Sequence, residues 1–123
     1  ESQLNVKETM ANIEANLKQN GVPVFAKFDH SANAQSAGLE LLPTEVIVFG
    51  APKVGTQLMQ QNPSISIELP LKISVWQDAT GSVWVTFPQM KKLASRYGLE
   101  NNPVIEKMQN MLEKLAVKSA SIY

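Results

Sequence analysis

Apolar and polar positions along the chain change period several times, and each change marks an element. Val6, Met10, Ile13 and Leu17 recur at alternating spacings of four and three, which lines up one helix face. A helix is therefore predicted from about Asn5 to Asn20, with Asn5 and Glu8 as a capping-box-like start and Gly21 as a stop. The next stretch, "VPVFAKFDH", alternates as a strand with Val22, Val24, Ala26, Phe28 and His30 on one side and Pro23, Phe25, Lys27 and Asp29 on the other. This pattern makes His30 the last residue of the core-facing row. Ser31 is positioned to cap a short helix, "ANAQSA", which Gly38 ends.

After a connection through "LELLPTE", the run "VIVFG" shows no polar alternation, the mark of a strand buried on both faces and central in its sheet. A short helix is expected after the following loop, ending at Pro63. The clearest period-two signal is "ISIELPLKISVW", where Ile65, Ile67, Leu69, Leu71, Ile73 and Val75 alternate with mostly polar neighbours. Pro70 has no amide hydrogen to give a ladder, so it predicts a bulge or an edge position there. In the partner strand, "SVWVTF", Val83, Val85 and Phe87 join the apolar face. Setting Val75 opposite Val85 and Trp76 opposite Trp84 leaves Ala79, Thr80 and Gly81 as a three-residue loop with glycine last. The chain closes with a helix at about Gln89 to Tyr97, stopped by Gly98, and another from Pro103 that buries Val104, Met108, Met111, Leu112 and Leu115.

Composition narrows the function classes. The 123 residues suit one domain, and 44% hydrophobic with 18% charged residues is ordinary for a chain that folds alone. Eleven basic and eleven acidic side chains cancel, so the long-range attraction behind nucleic-acid or anionic-membrane binding is missing. Near-zero charge favours self-association. No apolar run approaches the roughly 20 residues of a membrane span. There is no cysteine and one histidine, His30, so a zinc site would need at least three oxygen ligands and neither metal nor cofactor is expected. The chain starts at Glu1 rather than methionine, which suggests a removed upstream piece; a periplasmic or secreted location after signal removal is expected, with the cytoplasm as the alternative.

The stretch "IVFGAPKVGTQLM" invites comparison with a phosphate-binding loop, G-x-x-x-x-G-K-[ST], whose lysine follows the second glycine. Here Lys53 precedes Gly55 and Pro52 removes one amide, which argues against nucleotide hydrolysis. What survives is a helix start at which the amides of Gly55, Thr56 and Gln57, with Lys53 nearby, attract a small anion. The plainer reading is a shaped turn capped by Thr56. His30 follows Asp29, but strand neighbours point to opposite faces, so a catalytic His30 needs a partner from elsewhere, such as Glu40, Glu45 or Glu68. Trp76 and Trp84 on an otherwise polar sheet face imply a cover, either a helix or a second copy of the chain.

The order of a D-H pair, G-x-E-L-x-P-T, F-G-x-P-x-x-G-T-x-L-M, L-P-x-K and W-x-D from Val24 to Asp78 resembles a bacterial family known only as a domain of unknown function, DUF302. That resemblance implies an α+β domain: an antiparallel sheet of four to five strands packed against helices, similar to the TATA-binding-protein arrangement and often dimeric. It implies no DNA binding. The family's sheet usually starts with a strand before the first helix, which this chain, beginning near Ser2, would have shortened. The positions that the resemblance marks are His30, Glu40, Thr44, Gly50, Lys53, Gly55, Thr56 and Lys72, with no role attached to any.

Together these readings favour a non-enzymatic, homodimeric module that binds a small molecule or anion near His30 and the Gly50 to Thr56 turn. One alternative is a small hydrolase or isomerase with His30 as base and Lys53 or Lys72 as electrostatic stabiliser. Another is a structural protein whose Trp76 and Trp84 lie in a subunit contact.

Overall fold

The computed structural model describes residues 1–122. They form α1 (Val6–Gln19), β1 (Val24–Asp29), α2 (His30–Ser36), β2 (Thr44–Phe49), α3 (Pro52–Gln61), a 3-10 helix (Pro63–Glu68), β3 (Leu71–Gln77), β4 (Val83–Thr86), α4 (Met90–Ser95) and α5 (Pro103–Ser119). The strands pair antiparallel in the order β1-β2-β3-β4, an α+β fold as expected. On the outer side of β4, Ser2 makes one antiparallel bridge to Val83, its N–H donating to the Val83 carbonyl at 2.6 Å.

One face of the sheet carries the core. Ile47, Phe49, Leu71, Ile73, Val75 and Val83 meet Val6, Met10, Ile13 and Leu17 of α1 and Ile105, Met108, Leu112 and Leu115 of α5 in one apolar cluster. Complete burial of a side chain such as Phe49 or Ile73 contributes roughly 1.5–3 kcal/mol. Asn5 caps α1 by accepting from the Glu8 N–H at 2.8 Å, and Asn102 caps α5 through the Val104 N–H at 2.9 Å. The hairpin has the register that the alternation predicts, Val75 opposite Val85 and Trp76 opposite Trp84. Asp78 N–H to Ser82 carbonyl, 2.9 Å, closes its loop, and Gly81 takes φ 91°.

Three elements depart from the sequence pattern. In β1 a bulge between Val24 and Ala26 inserts Phe25, so Val24 pairs with Phe49 while Ala26 already pairs with Val48. One extra residue flips every later side chain. Lys27 and Asp29 therefore lie on the helix side, where they meet Glu14 at 3.1 Å and Lys7 at 3.5 Å on α1. Ala26 and Phe28 take the opposite face beside Val48 and Val46. The expected core row through Phe28 to His30 is thus corrected: Phe28 is 46% exposed and His30, the first residue of α2, is exposed. Asp29, not Ser31, caps α2, accepting from the Ala32 N–H at 2.9 Å.

The long strand predicted from Ile65 is shorter, because Pro63 opens a 3-10 helix that Asn62 caps and β3 starts only at Leu71 after a cis Leu69–Pro70 bond. Ile65 is fully buried and Ile67 is 76% exposed, so their alternation was not that of a sheet. Finally, β2 is central, but Val46 and Val48 are only half-buried: helices seal one face of it and not the other.

Candidate functional site

The turn after β2 settles what "GAPKVGT" builds. Phe49 ends the strand, Ala51 takes an extended conformation as helix N-cap, and Pro52 occupies the first position of α3, where its missing N–H costs nothing. Val54 and Gly55 donate to the Ala51 carbonyl at 3.0 and 3.1 Å. Gly55, Thr56 and Gln57 thus fall beyond the first turn, whose amides alone lack intrahelical partners. The expected cradle for an anion is spent on the helix itself, and Thr56 does not cap it.

Beside this turn lies a cavity of about 470 Å³. Val22 and Phe25 precede or begin β1, Val54, Gly55 and Met59 come from α3, Leu69 and Pro70 lead into β3, and Val104, Met108 and Met111 come from α5. Thr56 and Gln57 are the uncharged polar side chains on its wall, and Lys107 is the charged one. The lining explains why Val104 and Met111, predicted to be core, are only half-buried. Seven residues apart, they share a helix face that sits about 80° from the Ile105, Met108, Leu112 stripe at ~100° per residue. That stripe fills the core, and its flank faces the hollow. Sequence reading missed Lys107, Leu69 and Val22 as site residues; the signal available was an apolar face on α5 wider than a core contact requires.

Antiparallel pairing divides the residues that the resemblance marks into two groups. Gly50, Gly55 and Thr56 line the cavity; Lys53 is exposed on α3, and Lys72, opposite Val48, is exposed on the sheet face away from α1. His30, Glu40 and Thr44 lie at the other end. Asp29 pairs with Glu45, five residues before Gly50, or about 17 Å at ~3.3 Å per residue. Lys72 is three strand positions, roughly 10 Å, and one intervening strand from that end. His30 and the turn after β2 thus lie at opposite ends of the β1–β2 pair, and the cavity lining includes neither His30 nor Lys53 nor Lys72.

At its own end His30 stacks on Phe28, ring centroids 6.2 Å apart and 13° from parallel. Thr44 Oγ1 donates to the Leu42 carbonyl at 2.8 Å, and Glu40 is exposed in the α2–β2 connection. Lys7 bridges Glu45 at 3.4 Å and Asp29 at 3.5 Å, and both carboxylates, Glu45 foremost, raise its pKa. The Ala32 N–H, followed by the Ser31 hydroxyl, holds the Asp29 carboxyl below its usual range.

On the sheet face away from α1, Trp76 and Trp84 lie with ring centroids 6.4 Å apart and 31° from parallel. Trp76 Nε1 donates to Thr86 Oγ1 and Trp84 Nε1 to Asp78 Oδ2, each at 2.8 Å. The register sets Phe28, Val46 and Val48 on the same face.

A family model described as a domain of unknown function, DUF302, matches residues 1–115. Over 110 residues the chain is 42% identical to proteins named fluoride-specific ion channel FluC 1 in Brucella suis biovar 1 (strain 1330) and in Brucella abortus biovar 1 (strain 9-941). Those alignments take in 88% of this chain but 43% and 41% of the relatives, so the chain spans about two fifths of their length. A crystal structure of an uncharacterized conserved DUF302 protein from Bacillus stearothermophilus is similar with a TM-score of 0.73 at 23% identity, over 97% of this chain and 91% of that one. The likeness extends to the whole fold.

Proposed function

The chain belongs to the DUF302 family, and we propose that it is a non-enzymatic, homodimeric module that takes a small molecule into the cavity between α3 and α5. The observation that carries this reading is the cavity itself: about 470 Å³, with walls almost wholly apolar, in the range of roughly 300–1,000 Å³ that small-molecule sites occupy. Its wall carries one lysine and neither carboxylate nor imidazole, so it lacks the acid–base pair on which general catalysis depends. The dimer uses the far side of the sheet, where Trp76, Trp84, Phe28, Val46 and Val48 form an apolar face.

The relatives' name concerns proteins more than twice as long as the matched segment. No helix among the described residues is long and apolar enough to cross a membrane. Our reading therefore gives this chain a binding role that a membrane protein can carry as an added part. Fluoride itself is a poor ligand for an apolar wall, since a buried ion unmatched by donors is costly.

Nile red, an uncharged dye that brightens in apolar surroundings, tests the cavity. Wild type should bind it, and Met111→Trp, which fills the hollow from α5, should weaken binding at least tenfold while circular dichroism stays unchanged. Equal binding by the two proteins would place the dye elsewhere and remove the reading.

A further inference from the structure

We propose, resting on that reading, that the ligand is an amphipathic anion: a single alkyl or acyl chain lying in the apolar cavity, its negative head group over the lysines of α5. The cavity does not end at Lys107. A second hollow of about 490 Å³ between α1 and α5 shares Val22, Lys107 and Met111 as walls with the first. The two are thus adjoining parts of one depression, with the charged side chains gathered in the second.

The first part is apolar. The second is lined by Lys107, Lys114 and Lys118, with Asn16, Asn20 and Asn110, and no carboxylate is on its wall. Spacings of seven and four place the three lysines within about 40° of each other around α5 at ~100° per residue. Among the described residues none of the three makes an ion pair. Asn16 Nδ2 donates to Ser119 Oγ at 3.1 Å and Asn20 Nδ2 to the Asn16 carbonyl at 2.8 Å. Those two carboxamide N–H groups are engaged within the chain, which leaves the ammonium groups as the cationic donors for a head group. Like charges aligned along one face repel one another. In a neutral chain, 11 basic against 11 acidic residues, this cluster is a local excess that an anion relieves. An uncharged ligand would use the apolar half alone; a cationic one would be repelled at the exit.

The chemistry fits a free fatty acid and an anionic membrane lipid alike, and the test separates them. Nile red displacement from the full chain is measured with decanoate, decanol and decyltrimethylammonium, all below their aggregation limits, and with phosphatidylglycerol vesicles. Decanoate should displace the dye at least tenfold more effectively than decanol, and the cationic chain least. The double substitution Lys114→Gln with Lys118→Gln, both outside the apolar cavity, should reduce the decanoate effect about tenfold and leave decanol unchanged. If vesicles displace the dye with the same dependence on these lysines, the head group comes from a membrane lipid; if only decanoate does, from a free acid. Bound dye displaced equally by decanoate and decanol would overturn the inference and leave the cavity reading intact. Failure of the dye to bind wild type would remove both.

Discussion

Trp84 donates its indole N–H to Asp78 Oδ2 at 2.8 Å, so one carboxylate ties the turn of the β3–β4 hairpin to a tryptophan on its exposed face. The other oxygen, Oδ1, accepts from Thr80 Oγ1 at 2.7 Å and from the N–H groups of Thr80 and Ser82 at 3.0 Å each. Four donors favour the charged form. The Thr80 hydroxyl, then the Trp84 indole, bring the Asp78 pKa down to about 2.

A depressed folded-state pKa gives stability that is fully present above the unfolded value, near 3.9, and is lost as pH falls through about 2. Thermal melts of wild type should therefore lose stability between about pH 4 and pH 2, with tryptophan emission changing over the same interval. Asp78→Asn cannot titrate and should show a weaker loss there. If wild type and variant have the same acid limb, the carboxylate does not organise the hairpin.

Gly55 lies inside α3, and a Cβ added there would touch Leu69 Cδ1 at 3.6 Å and Met59 Cε at 3.9 Å, ordinary van der Waals contacts. Glycine in a helix interior costs roughly 0.8–1 kcal/mol relative to alanine. Gly55→Ala should therefore raise the urea midpoint by the equivalent of about 1 kcal/mol. A phosphate-type loop needs glycine for close backbone approach, so a destabilised variant would return the turn to that reading.

The elements that could be read from the sequence are those whose local signals agree. In α1 the Val6, Met10, Ile13, Leu17 stripe and the Asn5 cap point one way, and in the hairpin the alternation and Gly81 do. What was not legible is non-local. Nothing in "VPVFAKFDH" announces the bulge at Phe25, because a bulge arises from pairing with β2. Ile65 and Ile67 mimic a strand, and only Pro63 and Asn62 hint at the 3-10 turn instead. Pro52 at the first helical position was a signal that α3 starts before Gly55. The cavity draws walls from residues as far apart as Val22 and Met111, a juxtaposition that no periodicity encodes.

Asn62 joins two segments. Its Oδ1 accepts from the Ser64 N–H at 3.2 Å and the Ser64 hydroxyl at 2.6 Å, while its Nδ2 donates to the Tyr97 carbonyl at 2.9 Å. The first pair caps the 3-10 helix and the last fastens it to the residues after α4. Asn62→Ala should cost about 1–2 kcal/mol, the usual loss for a cap plus one tie. Asn62→Asp keeps the acceptor but loses the donor, so its denaturation midpoint should fall between those of wild type and alanine variant. Equal midpoints for both variants would assign the whole effect to Tyr97.

The proposed dimer makes the sharpest demand on the sheet face. Trp84, 37% exposed, and Phe28, 46% exposed, stand on the side away from α1, with Val46, Val48 and Trp76 half-buried between them. An interface there buries aromatic side chains of the kind that dominate association energy. Trp84→Glu places a charge where an isologous contact would bring the two copies' residues close together, and truncation of a central aromatic anchor alone typically costs 2 kcal/mol or more. Sedimentation equilibrium should therefore give a dimer for wild type and a monomer for Trp84→Glu at the same concentration, a shift in dissociation constant of at least about 30-fold. Trp84→Phe, which keeps an apolar ring and loses only the bond to Asp78, should remain dimeric. A dimer unaffected by the glutamate would exclude this face, and a monomeric wild type would exclude the homodimer.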